Sequence, residues 1–130
     1  MYKQSSLALE SDDGQYKFNI FINEHLQLLE IFSIGLVYLH DESGSVIVLR
    51  YNGDHGMHKN QLTGESFSGF HIHKLTEEAL KAGIKGENYA EQTTKYASVR
   101  EALRVFFTDI HTINTFDFFP ELQQGELFNN

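Results

Sequence analysis

Ser45-Val46-Ile47-Val48-Leu49-Arg50-Tyr51 is the stretch on which the reading of the fold turns. Its run of β-branched residues and the closing tyrosine suit a pleated, half-buried strand and suit a helix poorly. Asp41-Glu42-Ser43-Gly44-Ser45 just before it is hairpin-loop chemistry. A strand over 46–51 therefore follows an antiparallel partner, and the apolar residues over 34–40 supply it. Residues 26–31 read as strand too, joined to 34–40 as one bent strand with Gly35 at the irregularity. Further upstream Tyr16, Phe18, Ile20 and Ile22 alternate, as do Leu7 and Leu9. With Ser11-Asp12-Asp13-Gly14 between them, they predict a hairpin of strands 5–10 and 15–22. Asn23-Glu24-His25 is read as the next turn.

Downstream, a loop over 52–69 leads to a strand over 70–75, and then the period changes. Thr76 can cap a short helix over 77–82 that Gly83 stops. Residues 86–96 are polar and read as irregular. Ser98-Val99-Arg100-Glu101 is a capping box. Val99, Ala102, Leu103, Phe106, Phe107 and Ile110 then form one stripe of a helix over 99–112. The expected fold class is α+β: an antiparallel β-sheet of about five or six strands packed by one main C-terminal helix and one shorter helix. The domain organisation is a single domain over 1–130, with a core over about 5–112 and an acidic, Phe-rich tail over 113–130. That tail carries Phe116, Phe118, Phe119 and Phe128 beside Asp117, Glu121 and Glu126. It can dock on a basic apolar groove, but packing of its aromatics on the domain is the plainer expectation.

A chain of 130 residues with 41% hydrophobic residues can bury a core without a metal or a disulfide. It has no cysteine, which excludes a disulfide framework, a thiolate nucleophile and a cysteine zinc site. The polar start Tyr2-Lys3-Gln4-Ser5-Ser6 reads as no secretory leader, and no apolar run approaches a membrane span. A cytoplasmic location without membrane association is the expectation. Eighteen acidic against ten basic residues give a formal charge of −8. That argues against broad affinity for nucleic acid and fits a protein partner with a basic surface, while leaving a local RNA site open.

The candidate chemistry lies in the histidines. His71 and His73 stand two apart in Phe70-His71-Ile72-His73, which on a strand puts both imidazoles on one face and Phe70 and Ile72 on the other. His55 and His58 lie in the glycine-bearing loop Asp54-His55-Gly56-Met57-His58. If that loop folds back, four imidazoles and the Asp54 carboxylate converge. Such a set can hold a divalent metal, with Asp54 as ligand or support. It can also supply a general base and acid for phosphodiester cleavage, since imidazole titrates near neutrality. Arg50, Lys59 and Lys74 would then hold the phosphate and Tyr51 would stack on a base. A pH-responsive protein interface is a third use. Against these stands the ordinary case of half-exposed strand histidines with no shared chemistry. His25, His40 and His111 have no partner pattern. No phosphate-binding loop, dinucleotide fingerprint, nucleophile elbow or HExxH motif is present.

The segment Leu49-Arg50-Tyr51-Asn52-Gly53-Asp54-His55-Gly56-Met57-His58, with Gly69-Phe70-His71-Ile72-His73, resembles small bacterial and prophage proteins of the DUF6978 type. The opening Leu7-Ala8-Leu9-Glu10-Ser11-Asp12-Asp13-Gly14-Gln15-Tyr16-Lys17-Phe18 is similar as well, so the likeness covers about residues 5–112. A looser likeness, in the Arg-Tyr-Asn and histidine layout alone, is to the TumE family of toxin–antitoxin toxins. The resemblance implies a prophage or defence-related role, including a toxin acting on RNA. Two functional expectations follow. One is a toxin–antitoxin or phage-type protein whose histidine cluster acts on RNA or binds a metal. The other is a non-enzymatic phage or anti-defence protein that binds a host protein through its acidic surface. The partner is accordingly a cognate antitoxin or a host defence component.

Overall fold

A computed structural model of the chain describes residues 2–40, 44–54, 58–59, 66–67, 69–74 and 90–112. Among the described residues the strands are β1 (Tyr2–Glu10), β2 (Lys17–His25), β3 (Phe32–His40), β4 (Gly44–Asn52), β5 (His58–Lys59), β6 (Ser66–Phe67), β7 (His71–Lys74) and β8 (Ala90–Gln92), and a helix, α1 (Val99–Asp109), follows them. Six strands form an antiparallel sheet in the order β1-β2-β3-β4-β7-β8, while β5 and β6 pair as a separate two-stranded ribbon. The fold is α+β, as the alternation and the late helical stripe predict. The shorter helix expected over 77–82 and the tail over 113–130 lie outside the described residues.

The apolar alternation sorts the two faces of the sheet. Directly opposed residues of antiparallel strands project to the same side. Register therefore places Leu7, Ile20, Leu36 and Leu49 in one row across β1 to β4, and Ile22, Ile34, Tyr51 and Ile72 in the next across β2 to β7. Helix α1 covers this face. Ser98 caps it by accepting from Glu101 N–H at 3.2 Å, and the Glu101 carboxylate reaches back to Ala97 N–H at 3.2 Å. Ala102, Leu103, Phe106 and Phe107 are its buried residues, and Phe106 meets Tyr51 edge-on at 5.3 Å between ring centres. The helix ends at Asp109, before the 112 that the stripe suggests: Ile110 caps it and His111 adopts φ 57.

Several boundaries differ from the sequence reading, each for a local reason. Asn23-Glu24-His25 finishes β2 instead of turning, and Leu26 to Ile31 make the turn instead of a strand. The His25 Nδ1 atom accepts from the backbone N–H of Gln27 at 3.1 Å and of Leu28 at 2.9 Å, and Ile31 N–H closes on Leu28 O at 2.9 Å. These bonds curl an apolar run that reads locally as extended. The register shifts not at Gly35 but opposite Leu36 and Val37, where Val48 of β4 is the extra residue. Gly35 instead leaves room for the Phe21 ring, which a Cβ there would meet at 2.2 Å. The 86–96 stretch contains β8, a short polar strand held by β7. The 52–69 loop contains the β5–β6 ribbon.

At the end of β4 the chain crosses the β2–β3 turn closely. Gly53 N–H donates to Phe32 O at 2.9 Å, Asp54 N–H donates to Glu30 O at 2.7 Å, and a Cβ at Gly53 would stand 1.9 Å from Glu30 O. Only glycine fits this approach.

Phe106 has no exposed surface. Truncating it in Phe106→Ala should cost about 3–5 kcal/mol of unfolding free energy, read by urea denaturation. A loss under about 1 kcal/mol would mean that α1 does not cover the sheet.

Candidate functional site

The second face of the sheet carries the histidines. Register aligns Asn23, Ser33, Asn52, His71 and Gln92 in one row across β2 to β8, and Phe21, Gly35, Arg50, His73 and Ala90 in the adjacent row. His71 and His73 share this face, as their spacing requires. Their rings pack edge to face with centres 5.0 Å apart. Both are buried, at 3% and 2% exposure, and so is Asn52. Arg50 stands opposite His73 in the register.

Buried polar groups need partners, and those of Asn52 and His71 are explicit. The Ser33 hydroxyl donates to Asn52 Oδ1 in a short hydrogen bond. Asn52 Nδ2 lies 3.3 Å from His71 Nε2, and His71 Nδ1 lies 2.9 Å from Gly69 O. A carbonyl oxygen only accepts, so Nδ1 carries the proton and, in the neutral ring, Nε2 accepts from the Asn52 amide. Gly69 N–H in turn donates to the Asp54 carboxylate at 3.3 Å. From beneath, the buried Tyr96 hydroxyl lies 2.8 Å from Asn52 O and 2.9 Å from His71 O, sharing its proton between the opposed carbonyls of β4 and β7. His71 thus has both ring nitrogens occupied and acts as a cross-strand brace. A proton on Nε2 would break this bond or require the Asn52 amide to turn over, with Ser33 then accepting.

The other expected site residues separate. Tyr51 is on the helix-covered face, fully in the core, stacked on Tyr96 at 5.6 Å, and does not stand where it could stack on a base beside the histidines. Its hydroxyl donates a short hydrogen bond to Asp109, which also pairs with Lys95 Nζ at 3.0 Å. Lys74 opposes Leu49, so it too projects to the helix side, where its charge acts on Asp109. Asp54 is exposed at the end of β4 and ties down Gly69. His58 and Lys59 lie on β5. His55, the His58 and Lys59 side chains, and hence the convergence of the two histidine pairs, lie outside the described residues. Among the described residues no group of three metal-ligating side chains occurs.

Sequence reasoning passed over Tyr96, Asn52, Ser33 and Asp109, which do much of the bracing. Tyr96 sits in a stretch that reads as irregular, and no local pattern marks it. Ser33 and Asn52 become visible only once β3 and β4 are paired in register.

Burial pushes the Tyr51 hydroxyl far above its ordinary 10.0, and the bond and charge of Asp109 add to this. Burial likewise raises Tyr96. For Asp109, burial works against ionisation, but the bonds from Tyr51 and Lys95 and the charges of Lys95 and Lys74 outweigh it and hold the carboxyl below its ordinary 3.8. Comparison with known proteins finds no family model that matches the chain, no curated protein similar to it and no solved structure that resembles it.

A carboxyl whose folded value is depressed stabilises fully above its unfolded value and loses that contribution as pH falls through the folded one. Asp109→Asn should therefore be about 1 kcal/mol less stable than wild type at neutral pH, the part-exposed setting keeping the effect small. The gap should close below pH 3.8 in urea titrations. A gap independent of pH would show that the Asp109 charge contributes nothing.

Proposed function

We propose that this chain is a small phage- or toxin–antitoxin-type protein of the cytoplasm that works by binding another protein. The observation that carries this reading is the β2–β3 turn. Leu26, Leu28 and Leu29 are 51%, 49% and 70% exposed on it. Three large apolar side chains in one short, hydrogen-bonded turn form an exposed apolar patch of the kind that marks a contact surface. The His25 cap and the Gly53 and Asp54 crossings brace the turn, so a partner meets a preformed shape and little order is lost on binding. Glu24 and Glu30 flank it on a chain of charge −8. The partner that fits is a protein presenting an apolar cleft with a basic rim. A host defence component or a cognate antitoxin fits that description equally.

A second reading keeps the histidine face as a site on RNA. It is favoured by the imidazole of His73, set beside the braced His71 and opposite Arg50, a disposition suited to a proton donor or acceptor next to a phosphate-binding guanidinium. A divalent metal held by His55, His58, His71, His73 and Asp54 is the variant of this reading, and metal content of untagged protein decides it.

Full-length chain bearing Leu28→Asp and Leu29→Asp should recover its host partner at least about ten-fold less well than wild type in lysate capture followed by mass spectrometry. Equal recovery by both would remove the turn from the account. Expression of wild type beside His73→Ala, with the variant's circular dichroism spectrum unchanged, tests the second reading. Growth arrest by wild type alone supports it, and arrest by both, or by neither, ends it.

A further inference from the structure

The outer edge of β1 is a second surface, independent of the turn. Ser11 N–H donates to Tyr16 O at 2.9 Å, and the register runs without a shift from Glu10↔Lys17 to Tyr2↔His25. Strand alternation then directs the backbone groups of Leu9, Leu7, Ser5 and Lys3 toward β2. Those of Glu10, Ala8, Ser6, Gln4 and Tyr2 point away from the sheet. No described strand pairs along that side. The edge is about 30 Å long. Natural edges are blunted by proline, bulges or central charges, and β1 has none of these. Its only charged residues are Lys3 and Glu10, near its two ends.

We propose that β1 pairs with β1 of a second copy of this chain, antiparallel about a two-fold axis at Ser6, joining two six-stranded sheets into one. Symmetry restricts the register. A two-fold axis normal to the sheet keeps each side chain on its own face, so Ser6 can oppose Ser6, or Leu7 oppose Leu7, but Ser6 cannot oppose Leu7. Centring on Ser6 overlaps all nine residues of the strand. Gln4 then opposes Ala8, Tyr2 opposes Glu10, Ser5 opposes Leu7 and Lys3 opposes Leu9 of the second copy. No like charges face each other. Leu7 of each copy becomes a diagonal neighbour of the other, so the partly buried Leu7 and Leu9, which pack on the core, make the two cores continuous.

Charge selects the second copy over a foreign strand. A basic segment drawn by the net −8 would find one acid along this edge, Glu10. The uncharged run from Gln4 to Leu9 complements itself, and charges more distant than about 8 Å are screened at physiological salt.

The absence of native cysteine makes the test clean. In Ser6→Cys the two thiols would stand on Cα atoms about 5.5 Å apart, inside the disulfide range. The full chain carrying this substitution should form a covalent dimer under mild oxidation, and a mixture of Gln4→Cys and Ala8→Cys chains should cross-link to each other. Sedimentation of wild type should move with concentration from 14.9 kDa toward twice that mass. Ser6→Pro removes one outward donor and spares the β1–β2 ladder, so it should stay monomeric with an unchanged circular dichroism spectrum. Wild type that remains at 14.9 kDa up to millimolar concentration would overturn the proposal. So would a dimer that persists in Ser6→Pro. If wild type is monomeric and Ser6→Pro loses its captured host protein, the edge serves a foreign strand: self-pairing falls and the protein-binding reading stands. Leu28→Asp/Leu29→Asp should dimerise as wild type does.

Discussion

The hydrogen-bonded knot of Asn52, His71 and Tyr96 holds together parts of the chain that local sequence does not bring close. Asn52 ends β4, His71 opens β7, and Tyr96 lies beyond β8. The side chains of the first two join on one face of the sheet, and the hydroxyl of the third bridges their backbone carbonyls. Each group is buried, so losing one partner strands the others at about 1–3 kcal/mol apiece. The short strands β7 and β8 have little apolar surface to hold them. Beyond the β4–β7 backbone ladder, their attachment to the β1–β4 meander draws on this seam and on the aromatic stack beneath it, where Tyr96 meets Tyr51, Phe70 and Phe32.

The seam also bears on His71 itself. Two neighbouring imidazoles suggest a matched acid and base, but His71 is committed on both nitrogens. Its chemistry is that of a brace which fixes its own tautomer and the place of its neighbour. The β1 edge, by contrast, lies at the opposite side of the sheet from β8, and the exposed apolar turn stands at the end of β2 and β3 where the close of β4 crosses it. The seam thus sets the shape of the sheet, while the turn it borders and the distant β1 edge present surfaces suited to contacts with other chains.

Much of the fold was legible in the residues because period-two alternation and the capping box are local signals. The β1–β2 hairpin, β4 and α1 came directly from them. The run Leu26 to Ile31 misled because apolar composition does not reveal that His25 Nδ1 will gather two backbone donors and curl the chain. Strand β8 was hidden because its order comes from β7 and not from any alternation of Ala90, Glu91 and Gln92. For the candidate site, spacing correctly put His71 and His73 on one face but could not show their burial. Tyr51 and Lys74 follow the other parity of their strands, which register makes plain: Tyr51 opposes Ile72, whereas Arg50 opposes His73. Proximity in sequence to the histidines placed them in the site, and strand geometry takes them out.

As a neutral cross-strand brace, His71 is protonated on Nδ1 toward Gly69 and accepts from Asn52 on Nε2. Long-range nitrogen–proton correlation NMR of the imidazole in folded, nitrogen-15-labelled protein at neutral pH reads this directly. The brace should show a protonated, pyrrole-type Nδ1 and a bare, pyridine-type Nε2. A proton found on Nε2, alone or together with one on Nδ1, would contradict it and return His71 to the list of acid–base groups.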